Sequence, residues 1–220
     1  MQGSITPLVV FVVVCLAHLA AEAVRSQPGR LVTKPLLMPA LAWYYTASAA
    51  QPNSVLLAAL ACGWLGDVFL MIPDPARTRR YFKPGLVAFL AGHLLYAAVF
   101  AAYLPQASNV PSWGWGALIV FLAVGAVGYR LIVPHAGKLR PAIVAYIVII
   151  VLMGASTVLP LGTVNTAGAL TAMAGALLFM LSDTVNAYNR FVREIPGERL
   201  YTMSTYLGGQ FLLVQGYLMF

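Results

Sequence analysis

Apolar positions in this chain run in blocks of about twenty residues, separated by short stretches that hold most of the charge. Eight blocks can be marked, at about 5–24, 32–50, 54–72, 84–103, 113–132, 141–161, 166–189 and 201–219. Each is long enough to cross about 30 Å of hydrocarbon, which takes about 20 mostly apolar residues. None shows the strict alternation of a barrel strand, and backbone groups in lipid must be bonded within the segment. The pattern therefore predicts an all-α, polytopic integral membrane bundle of eight transmembrane helices. The blocks use nearly all of residues 1–220, so a single transmembrane domain is expected.

Composition agrees. The chain is 61% hydrophobic and 9% charged, more apolar than a soluble domain of this size can bury. The first block, "LVVFVVVCLAHLAAEA", ends in small residues like a secretory signal, but no charge precedes it from Met1 to Pro7, and a retained first span is expected. Cys15 and Cys62 both fall inside blocks, as packed thiols would.

Charge placement orients the bundle. All thirteen basic residues lie in or beside the connections after blocks one, three, five and seven. The connections "AAQPNS", "LPQASNVPS" and "LGTVNT" carry none. Positively charged short loops stay cytoplasmic, which puts both termini on the opposite side of what is expected to be the cell inner membrane. The net charge of +7 then reflects topology and attraction to anionic membrane lipids. Nucleic-acid binding would need a basic patch on a soluble face, and none is available.

Two parts of the chain resemble one another. "CGWLGDVFLMIP" leads through a basic loop to "GLVAFLAGHLLYAAVF", and "LLFMLSDTVNAYNRF" leads through a charged loop to "YTMSTYLGGQFLLVQG". Asp67 to His93 is 26 residues and Asp183 to Gln210 is 27. Four blocks separate the copies, which predicts two parallel four-helix repeats about an axis along the membrane normal.

The chemistry concentrates in the same places. An ionisable residue in a span marks a functional site by default, because an unpaired charge there is expensive. Asp67 and Asp183 lie about 8 Å and about 10 Å inside the ends of their blocks, at about 1.5 Å per residue, and so are expected at a shared depth. Two carboxyls in a low-dielectric site tend to hold one proton between them, the pair that general acid/base chemistry needs. The alternative is that each aspartate merely bonds a Ser, Asn or backbone group and fixes helix packing. Two at matching depth favour function. Asn186 and Arg190 follow Asp183 at helical spacing and are candidate substrate-binding residues. His93, Tyr96 and Gln210 are polar groups deep in blocks four and eight and complete the candidate pocket.

Lys34, in "LVTKPLLMP", lies just inside the apolar boundary of block two. With Arg77, Arg79, Arg80 and Lys83 it would form a basic collar able to receive a lipid phosphate. Asp74 is expected to be a solvated loop acid. Glu22 is expected to reach the interface, and the role of His18, four residues before it, is left open. His18, His93 and His135 are far apart and no HExxH motif occurs, so no metal is expected. "GALTAMAGA" offers small residues for close helix contact within or between chains, and no oligomeric state follows.

Taken in order, "TKPLLMP", "GWLGDVFLM", "FLAGHLLY", "GALLFMLSDTVNAYNRF" and "YLGGQFLL" resemble the YhhN family of lysoplasmalogenases. The resemblance covers essentially the whole chain. It implies an eight-span hydrolase without a cofactor, which cleaves the vinyl-ether bond of lysoplasmalogens, a class of lysophospholipid. The products are a fatty aldehyde and a glycerophospho-alcohol. The family's two aspartates fall on Asp67 and Asp183. One departure is "GGQ" where Ala-Ala-Gln is usual, which would widen the pocket beside Gln210. Two rivals use the same residues. A proton-coupled carrier of lipids or small molecules would need a water path from both faces, whereas the polar residues here gather in the cytoplasmic half. A lipid-binding scaffold would use both aspartates for structure alone.

Overall fold

The computed structural model describes residues 5–72 and 80–220. Arg77, Arg79 and Asp74 therefore lie outside the described residues. The described residues form eight α-helices and no strand: α1 (Ile5–Ala23), α2 (Gln27–Ser48), α3 (Ser54–Met71), α4 (Phe82–Ala101), α5 (Gly116–Ile132), α6 (Arg140–Ser156), α7 (Thr166–Phe191) and α8 (Glu198–Leu218). Six stretches, five of them centred on α1, α3, α4, α6 and α7 and one running from Ser112 to His135 around α5, are long and apolar enough to cross a membrane. The chain is an integral membrane protein. The other two helices, α2 and α8, are about 33 Å and about 31 Å long at 1.5 Å per residue. They fall short in composition, because α2 opens with Gln27, Arg30, Thr33 and Lys34, and α8 carries Glu198, Arg199, Gln210 and Gln215. The eight blocks are thus eight helices among the described residues, of which six meet the requirements of a span.

Local signals set the helix starts. Ser26 caps α2 by accepting from the Gly29 nitrogen, with Pro28 in the first turn, so α2 begins five residues before block two. Asn53 caps α3 through Val55 and Leu56, and Asn165 caps α7 through Ala167. At its far end α6 stops at Ser156, short of the predicted 161. Ser156 and Thr157 return their hydroxyls to the carbonyls of Met153 and Gly154, and turns follow. Gly162 follows at φ +85°, where a side chain would collide with the Asn109 carbonyl oxygen.

The chain divides into two compact units, Met1–Tyr96 and Ala97–Phe220. In the first, α1, α2 and α3 pack in sequence, and a methyl group on Gly66 would lie 2.6 Å from the Phe89 ring of α4. In the second, α5, α6 and α7 share a core of Ile132, Val133, Ala136 and Ile143, with Ile147, Ala187 and Phe191 against it.

The closest packing joins α7 to α8. A methyl group on Gly175 would lie 2.5 Å from the Leu213 nitrogen, and one on Gly216 would lie 2.5 Å from the Ala172 nitrogen. Small residues let helix backbones touch in this way, where a hydrophobic driving force between helices is absent. "GALTAMAGA" is therefore used within the chain. The same seam corrects the reading of "GGQ". A methyl group on Gly209 would meet the Phe179 nitrogen at 2.8 Å and the Gly175 oxygen at 2.9 Å, so this glycine admits the α7 backbone and widens no pocket. At Gly208 the nearest atom is the Leu178 Cδ1 at 3.4 Å. Gly209→Ala is accordingly expected to lose about 1–3 kcal/mol by overpacking, whereas Gly208→Ala stays near wild type. Thermal melts in detergent read the difference.

Candidate functional site

In the first unit the site is built on an irregularity of α2. Pro39 has no N–H, so the Pro35 carbonyl, four residues earlier, lacks its helical partner. Trp64 of α3 supplies one, donating Nε1–H to that oxygen at 2.9 Å. Trp64 and Asp67 lie three residues apart on α3, and Lys34 adjoins Pro35 on α2. The bond that docks Trp64 thus sets Asp67 beside Lys34, whose Nζ lies 3.3 Å from Asp67 Oδ1. Asp67 is 2% exposed and the Lys34 side chain 18%, which makes this an ion pair largely out of water. Lys34 is therefore the charge partner of Asp67 as well as a candidate for binding phosphate.

A second charge pair lies one turn away. Glu22 of α1 is buried, its Oε1 2.8 Å from Arg30 Nε. Glu22 was expected to reach the interface; Arg30 turns it inward instead. His18 is fully buried between α1 and α2. The Thr33 hydroxyl donates to the Gly29 carbonyl at 2.8 Å, so the 2.8 Å contact between Thr33 Oγ1 and His18 Nδ1 is a bond that His18 donates. Its Nε2 faces Glu22 Oε1 at 3.7 Å. In α4, His93 and Tyr96 are each 1% exposed, and His93 donates Nδ1–H to the Phe89 carbonyl at 2.7 Å.

In the second unit Asp183 is half-buried on α7, eight residues before the end of the helix, whereas Asp67 lies four before the end of α3. Asp183 Oδ2 accepts a 2.6 Å hydrogen bond from the Tyr146 hydroxyl of α6. Tyr146 was missed from sequence. Asn186 and Arg190 are exposed on α7, away from the buried seam with α8. Gln210 is 1% exposed on α8 and donates Nε2–H to the Tyr206 hydroxyl at 3.4 Å. Ser182, beside Asp183, donates to the Thr202 carbonyl at 2.9 Å. Asn189, three residues beyond Asn186, braces the α7–α8 corner by accepting from the Ile195 nitrogen at 2.7 Å and donating to Glu198 at 3.3 Å.

Each aspartate is thus held by the helix that precedes its own, Asp67 on α3 by α2 and Asp183 on α7 by α6. Among the described residues no group of three or more His, Cys, Asp or Glu could hold a metal ion. Both cysteines are free thiols.

The sequence pattern of the YhhN family matches residues 29–217, a stretch that contains both aspartates with Lys34 and Tyr146. The chain belongs to the YhhN family. A rat relative named lysoplasmalogenase TMEM86B is 30% identical over 213 residues, covering 92% of this chain and 80% of the relative. An Escherichia coli relative named uncharacterized membrane protein YhhN is 30% identical over 215 residues, 93% of this chain and 96% of the relative. A bovine relative named lysoplasmalogenase TMEM86A is 29% identical over 153 residues, 68% of this chain. That match spans 59% of the bovine protein's length. No solved structure matches this YhhN-family chain.

Proposed function

We propose that this chain is a membrane-embedded lysoplasmalogenase, hydrolysing the vinyl-ether bond of 1-alkenyl lysophospholipids to a fatty aldehyde and a glycerophospho-alcohol. The observation that carries the reading is the family match, which contains both aspartates and joins the chain to relatives named lysoplasmalogenase.

The residues suit the chemistry. A vinyl ether is cleaved once its β-carbon is protonated, because the resulting oxocarbenium ion accepts water. An acid and a carboxylate are needed, much as in glycoside hydrolysis. An ammonium 3.3 Å away is the partner of a carboxylate, so Asp67 is assigned the charged role. Asp183 is assigned the acid, with the Tyr146 hydroxyl on Oδ2 ready to stabilise the carboxylate left behind. Asp183 gives its proton to the β-carbon. Water adds to the cation as Asp67 takes a proton from it, giving a hemiacetal. Asp67 then protonates the departing glycerol oxygen while Asp183 takes the hemiacetal hydroxyl proton. Aldehyde and alcohol leave, and both carboxyls return to their starting states.

His93, Tyr96, Asn186, Arg190 and Gln210 are proposed to line the substrate's path, with Lys34 at its phosphate. The bundle is proposed to be one transmembrane domain of eight spans in the inner membrane, basic loops cytoplasmic and termini opposite. The matched bonding of Asp67 by α2 and Asp183 by α6 supports two parallel four-helix repeats.

The test offers purified protein a 1-alkenyl lysophospholipid and its 1-acyl and saturated 1-alkyl analogues. Aldehyde from the alkenyl lipid alone is expected. Cleavage of the acyl lipid in its place would make the chain an esterase. Turnover of none, with proton-coupled uptake into vesicles, would make it a carrier.

A further inference from the structure

The first unit holds a charge pair that the reaction does not use, Glu22 of α1 with Arg30 of α2. Arg30 and Lys34 are four residues apart on α2, so their side chains rise from one face with Cβ atoms about 5–6 Å apart. Each cation is held from one side by an acid of a neighbouring helix, Arg30 by Glu22 of α1 at 2.8 Å and Lys34 by Asp67 of α3 at 3.3 Å. Gln27 accepts from Arg30 Nη1 at 3.0 Å. These partners leave the Nη2 group of Arg30 and part of the Lys34 ammonium without an acceptor among the described residues. Neither cation is sealed in, since their side chains remain 16% and 18% exposed. Two cations fixed by buried acids, each with donors left over, make a preorganised receiver for an anion. The planar guanidinium suits a phosphate in particular. Arg25 at the end of α1, with Arg80 and Lys83 at the start of α4, adds positive charge beyond what Glu22 and Asp67 neutralise.

We propose that Arg30 and Lys34 clamp the phosphate of the lysophospholipid, and that Lys34, bonded to Asp67 on one side and to phosphate on the other, sets the register between headgroup and reacting bond. The proposal rests on the lysoplasmalogenase reading for its ligand. Its lengths agree. A phosphate oxygen about 2.8 Å from Nζ puts the phosphorus about 6–7 Å from the Asp67 carboxylate. In the lipid five bonds of about 1.5 Å separate phosphorus from the vinyl-ether oxygen, an extended span of about 6 Å. Glu22, and His18 through Thr33, are positioning residues that hold the α2 face in place.

Binding tests this without turnover. Wild-type protein in a maltoside detergent is titrated calorimetrically with a saturated 1-alkyl lysophospholipid and with the 1-alkylglycerol of equal chain length. Charge-assisted bonds of about 1.5–3 kcal/mol predict that the phosphate improves affinity about 10–100-fold. Arg30→Gln is expected to lower that preference about tenfold while leaving the alkylglycerol affinity unchanged. Glu22→Gln/Arg30→Gln, which strands no carboxylate, is expected to show the same loss. Inorganic phosphate alone is expected to bind far more weakly than the lipid. An unchanged phosphate preference in both variants would overturn the clamp, as would equal loss of both ligands. Inorganic phosphate binding as tightly as the lysophospholipid would overturn the headgroup assignment. Because neither titrant is cleaved, each outcome stands whether or not the chain hydrolyses vinyl ethers.

Discussion

Asp183→Asn is expected to lower aldehyde release from a 1-alkenyl lysophospholipid by about 10²–10⁴-fold, the usual contribution of a positioned general acid. The substitution keeps the shape of the side chain, and the amide oxygen still accepts the Tyr146 hydroxyl, so the melt should stay close to wild type. What is lost is the proton for carbon. Tyr146→Phe keeps the acid but removes the donor that stabilises its conjugate base, and a loss of about tenfold in kcat with little change in KM is expected from one charge-assisted bond. If Asp183 served only to tie α7 to α6, the order would reverse: Asp183→Asn, which keeps the bond, would spare turnover, and Tyr146→Phe, which breaks it, would lower the melting temperature without lowering kcat. The pair of measurements therefore separates chemistry from packing.

Lys34→Met is expected to be the most destabilising single change in the first unit. It removes the Lys34 charge from beside the Asp67 carboxylate, which is 2% exposed, and breaking one side of a buried pair typically costs about 3–5 kcal/mol. Adding Asp67→Asn should recover most of that loss, since the double variant buries a neutral amide beside an apolar chain. Thermal melts of the two singles and the double form a mutant cycle, in which a large favourable coupling is expected. A double variant that melts no higher than Lys34→Met would show that the ion pair is not what holds α2 to α3. Neither single variant nor the double should release aldehyde, because the charged carboxylate is gone or displaced in all three.

Each of the eight α-helices among the described residues falls on one apolar block, and six stretches are long and apolar enough to cross a membrane, because a twenty-residue apolar run is a local signal. Partners across helices were harder. Lys34 stood out as a charge inside an apolar boundary, yet its bond to Asp67 spans 33 positions of sequence and no periodicity encodes it. One clue was legible in retrospect. Proline at 39 leaves an orphan carbonyl at a predictable place, Pro35, and an orphan carbonyl asks for a donor, which Trp64 provides. Tyr146 was hidden because it sits at the head of "YIVIIV", where an aromatic reads as packing. Glu22 was misplaced because Arg30 had been assigned to topology alone. "GGQ" reads as pocket space, whereas the small residue of α7 that Gly209 faces, Gly175, is visible in the same sequence and belongs to one seam with it.

The most direct test of the account is hydrolysis of a 1-alkenyl lysophospholipid in deuterated water, with the aldehyde trapped as it forms and weighed by mass spectrometry. Protonation of the β-carbon by an enzyme acid predicts one deuterium on the carbon next to the carbonyl, in wild type and at a reduced rate in Asp183→Asn. Aldehyde released by wild type with no deuterium at that carbon would contradict carbon protonation, and with it the roles given to Asp183 and Asp67.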